Sequence, residues 1–258
     1  MPGEDGVDVW FVGHATVRLE LSGNTILTDP FLRSRLGPLE RHGAVPDPAA
    51  TSGVDVVLIS HGHPDHLDPY SLAAVGGRPL VLVPRGLGQR VAAWSMGEVL
   101  EVVAGQSIRV AGLAIDVVPA RHWITPGELR AQPVGYLVRE GTGPAIWFAG
   151  DTGRFGEMAA LRGRVDLALL PVWTWGPHLG PGHLGPRAAA EVLVEVGAAA
   201  AVPIHWGTLY PRRLHRVLGR PLSEPGPRFA MHAARLAPHA DVRVLAPGGR
   251  THFRLVRG

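Results

Sequence analysis

The 258-residue sequence contains no cysteine. That removes disulfides, thiolate nucleophiles, cysteine-ligated zinc and iron–sulfur clusters together. It contains no lysine either: all 25 basic residues are arginine. Schiff-base chemistry and a P-loop lysine are thereby excluded. Charged residues are sparse, at 18%, against 46% hydrophobic, so the chain is neither a polyampholyte nor a disordered one. A net charge of +3 is a weak argument for nucleic acid, and no long basic and aromatic surface stands out; no nucleic-acid partner is expected. No apolar run approaches the roughly 20 residues that cross a bilayer. Residues 1–8 lack the basic and apolar regions of a leader, so the expected location is cytoplasmic. What is left as a chemical toolkit is 13 histidines together with Asp and Glu, and that directs attention to metals.

The chain alternates short β-like runs with Gly/Pro turns, as an α/β protein does. Val7–Val12, Thr16–Leu21 and Thr25–Thr28 read as strands, with a hairpin turn at Ser22-Gly23-Asn24. Val54–Ser60 is a continuous apolar run, the pattern of a strand buried on both faces. Further strands are expected near Leu80–Val83, Glu98–Val102, Ser107–Val110, Leu113–Val118, Val134–Arg139, Ala145–Phe148, Asp166–Leu170 and Ala200–Ile204. Helices are expected at Leu87–Met96, closed by Gly97, and at Pro186–Val196, closed by Gly197; Arg212–Leu218 and Arg228–Ala237 are shorter candidates. Arg33–Ala50 reads as loop with a short helix. No linker or repeat divides the chain, so one domain over residues 1–258 is expected.

The most informative segment is Ser60-His61-Gly62-His63-Pro64-Asp65-His66-Leu67, directly after the apolar run. Three histidines and an aspartate so close together are poor core residues, because each needs a polar partner if buried. Imidazole nitrogen and carboxylate oxygen are ligands for zinc, and for iron or manganese. Four residues cannot fill two metal shells, so more ligands are expected at other strand ends. His122, Asp151 and His205 qualify: each is an isolated polar residue just beyond an apolar run.

This ordered series resembles the metallo-β-lactamase superfamily. More narrowly, it is similar to the metal-dependent hydrolase branch that includes N-acyl phosphatidylethanolamine phospholipase D and the L-ascorbate-6-phosphate lactonase. Gly13-His14-Ala15-Thr16-Val17 and Leu27-Thr28-Asp29-Pro30 match its opening strands. The resemblance implies an αββα sandwich with a dinuclear site at one edge. It implies that His61, His63 and His122 hold one ion, that Asp65, His66 and His205 hold the other, and that Asp151 bridges them. Two dications roughly 3.5–4 Å apart repel, and a bridging carboxylate offsets that repulsion. The implied cofactors are two divalent ions, zinc first, with manganese or iron as alternatives. The implied activity is hydrolysis of a phosphodiester or a lactone-type ester in a small-molecule substrate. Asp65 and His183 are the groups expected to take part in catalysis.

Other residues keep two readings. Asp29 either orients a ligating histidine or is a turn residue before Pro30. His14 either faces the site or caps a strand. His183 either serves the chemistry, by stabilising charge or protonating a leaving group, or ties a loop to the Pro186 helix. Trp123, Trp173, Trp175 and Trp206 either wall the site or pack beneath loops. Arg121, Arg154, Arg212 and Arg213 lie near the motifs and could bind a phosphate. Two rivals to hydrolysis follow: an iron-dependent redox enzyme on the same fold, or a binding module with a vestigial site.

Overall fold

The run at 54–60 does form a strand buried on both faces. Val56 and Leu58 point between two sheets, while Val57 and Ile59 point under a helical layer. Side chains alternate because a strand has a period of two. The neighbouring strands repeat the pattern, with Ile26 and Leu82 facing inward and Leu27, Val81 and Val83 outward.

The computed structural model describes residues 6–123, 131–176, 179–214 and 222–255. In chain order the first sheet uses β1 (Gly6–Gly13), β2 (Thr16–Leu21) and β3 (Asn24–Thr28). A separate hairpin follows, β4 (Arg35–Leu36) and β5 (Leu39–Arg41). Then come β6 (Val56–Leu58), β7 (Leu80–Pro84) and β8 (Glu98–Val102). The second sheet uses β9 (Ser107–Val110), β10 (Leu113–Pro119), β11 (Val134–Glu140), β12 (Ile146–Phe148), β13 (Leu167–Pro171) and β14 (Ala200–Ile204). The remaining strands are β15 (Leu209–Pro211), β16 (Asp241–Val242) and β17 (Arg250–Arg254). The sheets run β17-β1-β2-β3-β6-β7-β8 and β16-β14-β13-β12-β11-β10-β9, with a three-stranded β15-β5-β4 beside them.

The two large sheets share one core, in which Phe11 and Leu19 meet Tyr136, Phe148 and Leu169. Tyr136 crosses it and donates its hydroxyl to the Ile59 carbonyl at 2.7 Å, fixing the strand end that leads to His61. Helices α1 (Pro69–Ala73) and α2 (Gly88–Ala92) cover the first sheet through Leu72 and Val91. Helices α3 (Pro186–Val196) and α4 (Pro225–Leu236) cover the second through Ala189, Leu193, Phe229 and Ala233. The result is the expected αββα sandwich. No helix among the described residues is long and apolar enough to cross a membrane.

Several expectations change. The helix expected over 87–96 stops at Ala92. Gly97 is not its closing residue: a Cβ there would lie 1.8 Å from the Pro79 carbonyl oxygen, so the glycine serves a close approach of backbones. Gly197 does close α3, with a left-handed φ of 69°. Segment 33–50 holds the β4–β5 hairpin and a 3-10 turn at Pro48–Thr51. Helix α4 begins at Pro225 rather than Arg228. Most of the short helix expected at 212–218 lies outside the described residues.

Strands β3, β6 and β7 run parallel, as do β12, β13 and β14. β10 points the same way as β12, since both are antiparallel to β11. Their carboxyl ends therefore deliver Asp29, the 60–66 loop, His122, Asp151, Trp173 and His205 to one edge. Ligand sites of α/β sheets form at that edge for the same topological reason.

Candidate metal centre

Every histidine and aspartate expected as a ligand reaches this edge. His61, His63 and His122 converge in one group, and His14, Asp65, His66 and His205 in a second; Asp151 joins His122 and His183 in a third that overlaps the first.

Hydrogen bonds on the far ring nitrogens fix the tautomers. The Ser60 hydroxyl donates to Asp29 Oδ2 at 2.5 Å, so it accepts from His61 Nδ1 at 2.9 Å. His122 Nδ1 donates to the Gly182 carbonyl at 2.9 Å. His205 Nδ1 donates to the Trp173 carbonyl at 2.9 Å, and His66 Nδ1 to Asp29 Oδ2 at 2.7 Å. All four rings thereby turn Nε2 inward, the nitrogen free to meet a metal.

Those inward nitrogens meet one another. His61 Nε2 and His122 Nε2 each lie 2.9 Å from His63 Nδ1, and one proton on His63 satisfies at most one of them. His66 Nε2 lies 3.1 Å from His205 Nε2. Asp151 Oδ2 is 3.4 Å from His66 Nε2 and 3.2 Å from His205 Nε2. Its other oxygen, Oδ1, is buried without a hydrogen-bond partner. Buried acceptors gathered face to face are unfavourable unless a cation lies between them. The donor set therefore fits divalent metal, and its mixture of imidazole and carboxylate suits zinc, manganese or iron.

The electrostatics agree. Burial, reinforced by His205, holds His14 down to about 3, and burial holds His122 at about 4 and His61 well below the usual imidazole range. Burial resists charge on Asp65 and Asp151, but the surrounding histidines outweigh it and hold both carboxyls well below the usual range. Burial likewise resists charge on His66, yet Asp151 and Asp65 push it well above the usual range. Asp151 and Asp65 thus favour a positive charge at His66, the sign of charge that a bound cation would supply in its place.

Two supporting residues were open in the sequence, Asp29 and His14, and Gly150 adds a third support. Asp29 accepts from the Ser60 amide at 2.7 Å as well as from the Ser60 hydroxyl and His66, so it orients a candidate ligand while occupying the turn before Pro30. His14 faces the site: its Nε2 is 2.9 Å from Asp65 Oδ2. Its φ of 57° is held by its amide donating to Thr208 Oγ1 at 2.7 Å and its carbonyl accepting from the His205 amide at 2.7 Å. Gly150 must be glycine, because φ is 62° and a Cβ would come within 2.5 Å of the Ser60 Cβ. Ser60 is a contributor the sequence reading did not single out; its only signal was adjacency to His61.

His183 Nε2 lies 3.4 Å from Asp151 Oδ2, and its Nδ1 donates to the Gly180 carbonyl at 3.2 Å. Burial disfavours its charge, but Asp151 reverses this and raises its pKa. The tryptophans divide between the two readings. Trp206 stacks on Phe11 and Trp173 on Tyr210, both buried. Trp123 and Trp175 instead line a cleft with His63, Asp65, His122 and His183. The phosphate-binding reading of two arginines changes: Arg121 pairs with Glu157 at 2.7 Å, and Arg154 with Glu191 and Glu195 at 3.1 and 3.0 Å. His252 pairs with Asp8. His178 and His215 lie outside the described residues.

Residues 24–206 match the family model described as Beta-lactamase superfamily domain. A metal-dependent hydrolase of Methanopyrus kandleri is 31% identical over 93% of this chain and 97% of its own length. The mitochondrial N-acyl-phosphatidylethanolamine-hydrolyzing phospholipase D of Saccharomyces cerevisiae is 29% identical over 72% of this chain and 44% of its own length. Among solved structures, a metallo hydrolase of Ignicoccus hospitalis superposes with a TM-score of 0.73 at 22% identity, covering 96% of this chain and 98% of the other. At that identity the likeness speaks for the fold.

Proposed function

The chain belongs to the beta-lactamase superfamily of metal-dependent hydrolases, and on that premise we propose that it binds two divalent ions and hydrolyses a phosphodiester or lactone-type ester of a small molecule. His61, His63 and His122 would hold one ion, and Asp65, His66 and His205 the other. Asp151 would be shared between them. Zinc is the first choice for this donor set, with manganese and iron as alternatives.

The observation that carries the reading is the convergence of the His66 and His205 Nε2 atoms on the buried Asp151 carboxylate, one oxygen of which has no protein partner. When bound, such ions polarise a substrate oxygen and lower the pKa of water towards 7. The chain's own residues do the rest. Asp29 and the Trp173 and Gly182 carbonyls hold the imidazoles in one tautomer. Asp65, which reaches the cleft, stays an ionised carboxylate and would orient the attacking water as a hydrogen-bond acceptor. His183 borders the same cleft, and Asp151 favours its protonated form; it donates a proton to the leaving group.

Elemental analysis of purified, metal-replete protein tests the count, with two equivalents per chain expected. Saturation at one equivalent would sink the dinuclear assignment. A parallel screen of bis(p-nitrophenyl) phosphate against simple lactones separates the two substrate classes. Full occupancy by iron, with neither substrate turned over, would favour the redox alternative instead.

A further inference from the structure

The cleft beside the histidine cluster has a volume of about 520 Å3. It is lined by His63, Asp65, His122 and His183 of the cluster, by Leu36 to Leu39 of the β4–β5 hairpin, and by Trp123 and Trp175. These two indoles are 58% and 44% exposed. The fold does not require that exposure. Trp173 and Trp206, which lie equally close to the cluster in sequence, are buried and stacked on other rings. Two large apolar side chains left in solvent along one cleft mark a surface that something else covers.

Charge narrows what that is. Among the described residues, no arginine lines the cleft, and its charged or titratable groups are those of the cluster. Arg121 and Arg154, which flank the ligand segments, are engaged by Glu157, Glu191 and Glu195, and Arg35, next to Leu36 in the hairpin, is not among the lining residues. An ionised group held in this apolar cleft away from the cluster would have no counter-ion, and an unpaired charge there is strongly disfavoured. An apolar group gains in proportion to the surface it loses to water, and a flat ring also gains from the indoles. The volume falls within the range of pockets that take small organic ligands.

We propose that the cleft between Trp123, Trp175 and the β4–β5 hairpin binds an uncharged apolar part of the substrate, an aromatic ring or an alkyl chain. The inference rests on the hydrolase reading for the position of the scissile bond over the cluster. It sets the substrate apart from phosphorylated sugars and nucleotides, whose remote groups carry charge or many hydroxyls.

Two measurements on the metal-loaded protein test it. The first is binding of N-phenyl-1-naphthylamine, a neutral fluorescent probe. Wild type should bind it saturably, and Trp175→Ala and Leu36→Glu should each weaken it roughly tenfold with metal content unchanged. Binding that does not saturate, or that matches wild type in both variants, overturns the inference. The second is turnover of p-nitrophenyl acetate, butyrate, hexanoate and benzoate. kcat/KM should rise roughly three- to fourfold per added methylene in wild type and flatten in Trp175→Ala; the benzoate arm distinguishes a ring from a chain. A series flat in wild type also overturns the inference. Loss of probe binding in the variants, with two metals bound and no ester turned over, upholds the cleft and counts against the hydrolase reading.

Discussion

His14 Nε2 and Asp65 Oδ2 lie 2.9 Å apart, both shielded from solvent. The contact joins the turn between β1 and β2 to the loop that carries most of the candidate ligands. Burial and His205 keep His14 neutral down to about pH 3, so it donates as an uncharged imidazole and fixes one carboxylate oxygen. His14→Ala should weaken retention of one metal roughly 10- to 100-fold, with far-ultraviolet circular dichroism unchanged. Competition with a chromogenic chelator measures this. Wild-type affinity for both ions would make His14 a purely structural residue.

Asp151→Asn removes the anionic charge while nearly preserving shape. Because Asp151 Oδ2 sits within 3.4 Å of His66, His183 and His205, the amide leaves those imidazoles facing a neutral group. Metal content should fall from two equivalents towards one, and turnover by several orders of magnitude. Full occupancy with normal activity would move the shared ligand elsewhere.

His183→Ala should keep both metals, since the seven other ligands are complete without it. Loss of a proton donor lowers kcat by roughly 10²- to 10⁴-fold. If the ring only positions substrate, KM rises with kcat little changed. An ion lost on this substitution would instead make His183 a ligand, a role that its 3.4 Å approach to Asp151 leaves geometrically open.

Metal-free protein should lose stability as the pH falls below about 6.5. His14, held at about 3, and His122, held at about 4, are depressed chiefly by burial, and so is His61. With a depressed folded-state pKa, the unfolded chain takes up protons first. Stability is then present above the unfolded value and lost as pH falls towards the folded one, at most about 1.4 kcal/mol per unit and group. His66 acts in the opposite sense. Burial opposes its charge, but Asp151 and Asp65 raise its pKa, so its contribution is full below about 6.5 and fades as pH rises through the folded value. His183, also raised, acts in the same sense as His66, and the three depressed histidines outweigh these two. Melting temperatures of chelator-treated protein at pH 7.5, 6.0 and 5.0 should therefore descend; a level or rising series would contradict the assignment.

Local signals account for what could be read before the fold was known. Helix α3 carries Pro186 in its first turn and Gly197 past its end, so both boundaries were legible. The ligand loop was legible because histidines at that spacing have no comfortable place in a core. What escaped depends on distant partners. β17 exists because β1 offers its edge to Arg250–Arg254, some 240 residues away in the chain. The β4–β5 hairpin has no alternating apolar pattern and is held by β15. The inward turn of His14 comes from Thr208 and the His205 backbone, and nothing within Gly13–Val17 announces it.

Among the described residues, the β4–β5 hairpin pairs with β15 alone and shares no ladder with either large sheet. Leu39 packs with Phe31 and Leu209 in a small cluster apart from the main core. None of the seven candidate ligands lies on the hairpin. The Leu36 to Pro38 lining of the cleft and the candidate ligands thus sit in separate stretches of the chain, and one can drift while the other is inherited intact.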